Sequence, residues 1–109
     1  MNIQIFGKAK CFDTKKAERY FKERGVKFQA IDILQKGLSK GELNSVITAV
    51  GINALVSEKA ADYHLFKHLT PEAQPDKLLE NPALYKTPIV RNGKSATIGY
   101  QPDVWKKWE

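Results

Sequence analysis

A chain of 109 residues, 42% hydrophobic and 28% charged, is one domain with enough material for a core without disulfides or metals. Its net charge of +6 comes from dispersed lysines, with no dense basic run and no basic segment interleaved with aromatics, so direct nucleic-acid binding is not expected. One cysteine excludes an internal disulfide and fits a reducing compartment, and no apolar run approaches the roughly 20 residues of a membrane span.

Ile3 to Phe6 is a short apolar run that reads as a strand, broken by Gly7. A loop follows, and a helix opens near Asp13 or Thr14, either of which can cap it by accepting a bond from a free backbone N–H. Cys11 then lies between a strand end and a first helical turn. There, unpaired N–H groups and the positive end of the helix dipole stabilise a thiolate. Lys8, Lys10, Lys15 and Lys16 act in the same sense, and Asp13 opposes them in part. The alternative is a small buried cysteine packed as a hydrophobe. Its place in a lysine-rich loop, not in an apolar run, favours the reactive thiol. Ala17, Tyr20 and Phe21 share one helical face, Arg24 suits the last turn and Gly25 the position just past it. Val26 to Ile33 reads as a strand, Val26, Phe28 and Ala30 alternating while Ile31, Ile33 and Leu34 fill the other side. Strand, helix, strand at this spacing predicts a parallel βαβ unit with a right-handed crossover.

Ser39-Lys-Gly-Glu42 is a capping box, flanked by Leu38 and Leu43 as a hydrophobic staple. Leu43, Val46, Ile47 and Val50 form an apolar stripe, and Gly51 closes the helix. Asn53 to Val56 suggests a short helical turn, and Ser57 can cap a further helix carrying Ala61, Leu65 and Leu69. His64 and His68 are one turn apart, a metal-ligand spacing; without a third ligand nearby they read as surface histidines, and no metal is expected. Pro71 and Pro75 bracket a turn, and Asp76 to Asn81 is a short helix stopped by Pro82.

Thr87-Pro88-Ile89-Val90-Arg91 is an apolar strand entered through a proline, and Asn92-Gly93 is a two-residue hairpin signal before a returning strand to Ile98. Gly99 breaks it, Pro102 stands where a first helical residue belongs, and Val104, Trp105 and Trp108 give the last helix its apolar face. The order is β-α-β, an all-helical insert over about 36–84, then β-β-α. It implies a mixed four-stranded α/β sheet from Ile3–Phe6, Phe28–Asp32, Ile89–Arg91 and Ala96–Ile98.

With these elements placed, the chain resembles the thioredoxin-like (glutaredoxin-like) fold, and its helical insert narrows the likeness to the arsenate reductase (ArsC) and Spx-like family. The resemblance spans residues 1–109 as one domain, with the thioredoxin-fold parts at about 1–35 and 85–109. It is carried by Cys11 running into Asp13-Thr-Lys-Lys-Ala17, by Leu38-Ser-Lys-Gly-Glu-Leu43, by Asn81-Pro82 with Lys86-Thr-Pro-Ile-Val90, and by Ile98-Gly-Tyr100. It implies a cis Pro88 beside Cys11.

Arsenate reductases of this type use arginines to hold the oxyanion. Here the residue before the proline is Thr87, with Lys86 one step earlier. The other two arginine positions fall in Gly99-Tyr-Gln101 and near Ser57 to Lys59. Arg19, Arg24 and Arg91, the only arginines, match none of them, which argues against arsenate as substrate. The Spx-like proteins switch through a Cys-x-x-Cys pair, and the second cysteine is here Thr14. The resemblance therefore implies a monothiol oxidoreductase with Cys11 as nucleophile. Lys8, Lys10, Thr14, Lys15, Lys86, Thr87 and Pro88 are then its thiol-partner site. No bound cofactor is implied; glutathione is the expected co-substrate, and a small thiol or a thiol-redox protein the expected partner. The alternative is an Spx-like regulator that docks on the RNA polymerase α subunit through the surface around Gly51. With an N-terminus lacking the basic and long apolar segments of a signal peptide, a cytoplasmic monomer is expected.

Overall fold

Apolar alternation in Ile3–Gly7 (β1) sends Ile3 and Ile5 to one face of a sheet and Phe6 to the other, and all three are buried. The computed structural model describes residues 1–109 and places β1 near the centre of a four-stranded mixed sheet. Phe28–Asp32 (β2) pairs parallel to β1, and Ile89–Asn92 (β3) pairs antiparallel on its other side. Ser95–Ile98 (β4) completes the order β2-β1-β3-β4.

One face of the sheet carries Phe12–Glu23 (α1) and Pro102–Lys106 (α5). Their contact with the sheet is aromatic. Tyr20, Phe21 and Trp105 stack at centroid separations of 5.1–5.3 Å over Ile3, Ile5 and Val90. The buried Trp105 indole N–H donates to Thr97 Oγ1 at 2.7 Å. The other face is covered by the helices between β2 and β3: Lys40–Val50 (α2), Tyr63–Phe66 (α3) and Gln74–Glu80 (α4), with 3-10 turns at Ile52–Leu55 and Pro82–Leu84. Leu43, Val46, Leu55, Phe66, Leu78, Leu84 and Tyr85 pack there against Phe6 and Ile89.

The capping box of α2 is complete, with Glu42 N–H donating to Ser39 Oγ at 3.2 Å and Ser39 N–H to Glu42 Oε1 at 2.8 Å. Both staple leucines, Leu38 and Leu43, are buried. Elsewhere several sequence expectations are corrected. The first helix opens at Phe12, with Cys11 itself in the cap position expected of Asp13 or Thr14. β2 begins at Phe28 because Gly25, at φ +68°, turns the chain and Val26 N–H bonds back to Phe21 O. As an edge strand it leaves Gln29, Ala30 and, beyond it, Leu34 exposed, so the two-sided filling read from alternation does not occur.

The helix expected from Ser57 shrinks to α3. Asp62 Oδ2 is held by Asn81 Nδ2 at 2.8 Å, and Phe66 takes the core position in place of the exposed Leu65. The turn expected between Pro71 and Pro75 is present at residues 71–73, and Pro75 lies inside the first turn of α4, where a missing N–H costs nothing. In the hairpin, Asn92 pairs with Ser95, so Gly93-Lys94 are the turn residues. Gly93, at φ +61°, supplies the first position of a type II′ turn. His64 and His68 are exposed, and no cluster of three His, Cys, Asp or Glu side chains suited to a metal ion is present.

Candidate active site at Cys11

The loop from β1 to α1 delivers Cys11 to the helix N-terminus in extended conformation, φ −87° and ψ 116°. The Thr87–Pro88 peptide is cis, and the carbonyl of Thr87 accepts from the Cys11 thiol at 3.5 Å. Cys11 is partly exposed, as a reacting sulfur must be. Burial pushes its thiol up, and the side chains of Thr14 and Thr87 with the backbone of Thr14 and Asp13 favour the thiolate and outweigh it. The pKa is lowered from the ordinary cysteine value. Thr14 Oγ1 is buried and has no hydrogen-bond partner.

The Thr14 side chain fits under the loop only because position 7 has none. A Cβ on Gly7 would lie 2.2 Å from Thr14 Cγ2 and 2.7 Å from its hydroxyl. That pairing of a strand-end glycine with a helical threonine is the part of the site that motif reading misses. Sequence spacing points to lysines as the activating groups; close to the sulfur in the fold stand Thr14, Thr87 and the N-terminus of α1 as well.

Among the lysines, Lys8 is the one tied into the site. Its Nζ donates to Ala83 O at 3.2 Å and Tyr85 O at 2.9 Å, joining the thiol loop to the segment that leads into Pro88. Burial holds Lys8 below the usual lysine range while the negative Cys11 draws it back up. That attraction is mutual, so Lys8 also favours the thiolate. Lys10, Lys15 and Lys86 are exposed, and Lys16 lies over the Tyr100 ring at 5.6 Å.

Beside the thiol runs an open groove of about 720 Å³. Asp13, Lys86 and Thr87 form its end near the sulfur, and Tyr100, Gln101 and Val104 one wall. Val50 and Ala54 line it from either side of Gly51, which is exposed at the end of α2 with φ +84°. No guanidinium enters the groove. Arg91 is held by Gln4 Oε1 at 2.6 Å and Glu42 at 3.6 Å, and Arg24 pairs with Glu109 at the far end of α1.

Residues 6–108 match the ArsC family. The chain belongs to the ArsC family. Its relatives include the global transcriptional regulator Spx 2 of Oceanobacillus iheyensis, 32% identical over 94% of this chain and 80% of that protein. The arsenate reductase from Vibrio cholerae superposes with a TM-score of 0.84 over 98% of this chain and 97% of that one, at 23% identity. The glutaredoxin-like protein NrdH-redoxin from Escherichia coli superposes at 0.55 over 100% and 96%, at 17% identity. The last two are likenesses of fold, and with the sheet order they make this a thioredoxin-like α/β protein. No helix is long and apolar enough to cross a membrane.

Proposed function

We propose that this ArsC-family chain is a monothiol oxidoreductase. The observation that carries the reading is the setting of Cys11: a partly exposed thiol at the N-cap of α1, donating to the Thr87 carbonyl that precedes cis-Pro88. Such a sulfur is a poised nucleophile. Its thiolate attacks one sulfur of a substrate disulfide, forming a Cys11 mixed disulfide as the substrate S–S bond breaks. The departing sulfur leaves as a thiolate and takes a proton from water. Thr14 has no sulfur with which to close an internal disulfide, so an external low-molecular-weight thiol, glutathione by class, attacks the Cys11 sulfur and releases the substrate as a dithiol. A second such thiol then attacks the glutathione sulfur, regenerating Cys11 thiolate and leaving oxidised glutathione. Lys8 and Lys86 favour the anionic states, Lys10 and Lys15 add exposed positive charge, and the backbone at Thr87-Pro88 aligns the incoming sulfur. The absence of arginines from the groove makes arsenate a poor substrate for this site.

The rate of Cys11 alkylation against pH tests the reading. The expected pKa lies below the ~8.5 of a free cysteine. Oxidised glutathione is expected to leave a stable mixed disulfide on Cys11. Slow alkylation with a titration at or above the free value overturns the reading.

A second reading draws support from the likeness to Spx 2 and from the exposed Gly51 between two groove-lining residues. In it the chain is a regulator that binds the RNA polymerase α subunit through that surface, and Cys11 is a control point. Capture of purified α subunit by the wild-type chain, lost in Gly51→Arg, is the result it requires.

A further inference from the structure

Six large apolar side chains of this protein stand exposed: Met1, Phe12, Leu34, Leu65, Tyr100 and Val104. Three of them either follow the thiol directly in the chain or line the groove beside it. Phe12 directly follows Cys11, as the first residue of α1, and is 78% exposed. Tyr100 and Val104, 41% and 38% exposed, line the groove that Asp13 and Thr87 close at the sulfur end. An aromatic ring left almost wholly in water beside a reactive sulfur marks a surface that something covers. A small disulfide meets the sulfur and part of the groove, and leaves Phe12 wet.

Charge narrows what that cover is. Lys86 lines the groove, Lys16 stands over the Tyr100 ring, and Lys10 and Lys15 are exposed on either side of Cys11 in the chain. Asp13 and Asp103 oppose them, and the balance around the sulfur is positive. No arginine fork is there to grip a single oxyanion, so these dispersed ammonium groups act as a steering field for a partner that carries several negative charges.

We propose that the Cys11 surface docks an acidic segment of a protein that presents a disulfide next to apolar residues. The substrate is then a macromolecular disulfide, not a small one. This rests on the monothiol reading above. Cys11 thiolate attacks the partner's sulfur, the new S–S bond joins the two chains, and the partner's second sulfur leaves as thiolate.

Three synthetic peptides of equal length test the proposal, each carrying one cysteine as a mixed disulfide with 2-nitro-5-thiobenzoate, so that the leaving group and its intrinsic reactivity are constant. One has Asp/Glu and Leu/Phe flanks, one Lys/Arg and Leu/Phe flanks, and one only Gly/Ser flanks. Release of the coloured thiolate by the intact protein is expected to be about tenfold faster with the acidic apolar peptide than with the Gly/Ser peptide, and slowest with the basic one. The acidic advantage is expected to shrink as salt shortens the screening length. Phe12→Ser, a change at an exposed site, is expected to narrow the gap between acidic and Gly/Ser peptides, and Lys86→Glu to narrow the gap between acidic and basic ones. Equal rates for all three peptides with a reactive Cys11 overturn the docking proposal and leave the monothiol reading standing. Rates no faster than those of free cysteine, with all three peptides, overturn both.

Discussion

The two faces of the sheet are built by different means. On one, twelve buried, mostly aliphatic residues form a cluster that includes Phe6 and Ile89 of the sheet, with most of the others from the helical insert. On the other, seven buried residues suffice, and three large aromatics from two helices do most of the covering. The aliphatic face shares its burial among many small contributions, so no single contact dominates it. The aromatic face is concentrated on Trp105, which touches Tyr20, Phe21 and Tyr100 and also satisfies Thr97. The thiol belongs to the concentrated side, since α1 both carries Cys11 and rests on that indole. Reactivity is thus tied to the face with the fewest supports.

The strongest break in this contrast is Trp105→Ala. It is expected to cost about 3–5 kcal/mol, and more if the Thr97 hydroxyl is stranded, measured by urea unfolding. Cys11 alkylation is expected to slow with it, because α1 loses its seat. Leu43→Ala, on the aliphatic face, is expected to cost about 2–5 kcal/mol while leaving the alkylation rate of the folded protein unchanged.

Tyr85 sharpens the contrast through pH. Its hydroxyl is buried with no partner, and burial pushes its pKa up to about 12. A raised folded value favours the neutral form. Stability is therefore complete below the ordinary tyrosine pKa of ~10 and is lost as pH rises toward 12, by roughly 2–3 kcal/mol in all. Tyr85→Phe is expected to abolish that alkaline loss and to change stability little at neutral pH, which unfolding at several pH values will check.

Ser39→Ala removes one half of the capping box and is expected to cost about 1 kcal/mol. Were Ser39→Ala to destabilise more than Leu43→Ala, the α2 stripe would not be the anchor of its face. Thr14→Val is the smallest change in shape. It is expected to raise the Cys11 pKa, with Thr14→Ser restoring it, as read from alkylation against pH. Because the folded thiol is lowered, its thiolate adds stability above the ordinary thiol pKa that fades as pH falls through the folded value. Thr14→Val narrows that window.

What was legible in the chain follows the same division. Ile3–Phe6, the Ser39 capping box, the Thr-Pro entry to β3 and the placing of Cys11 at a helix start are local signals, each legible within a few residues. The misread positions depend on distant partners. Leu65 and Phe66 look alike as core candidates until Asn81 takes hold of Asp62. The exposure of Ala30 follows from β2 being an edge, which alternation along one strand does not encode. In the site, the buried seat of Thr14 beneath the thiol loop depends on the bare Cα of Gly7, a partner seven positions away that no local motif encodes.

The bond from Lys8 to the Tyr85 carbonyl spans 77 positions of the chain, and that from Cys11 to Thr87 spans 76. A ribosome makes the cysteine near the beginning of its work and the residues that surround it near the end. Until the last quarter of the chain has emerged and folded back, Cys11 has neither the Thr87 hydroxyl nor the loop anchored by Lys8, and it titrates more nearly as an ordinary thiol. The setting that lowers the Cys11 pKa is thus a property of the folded chain alone.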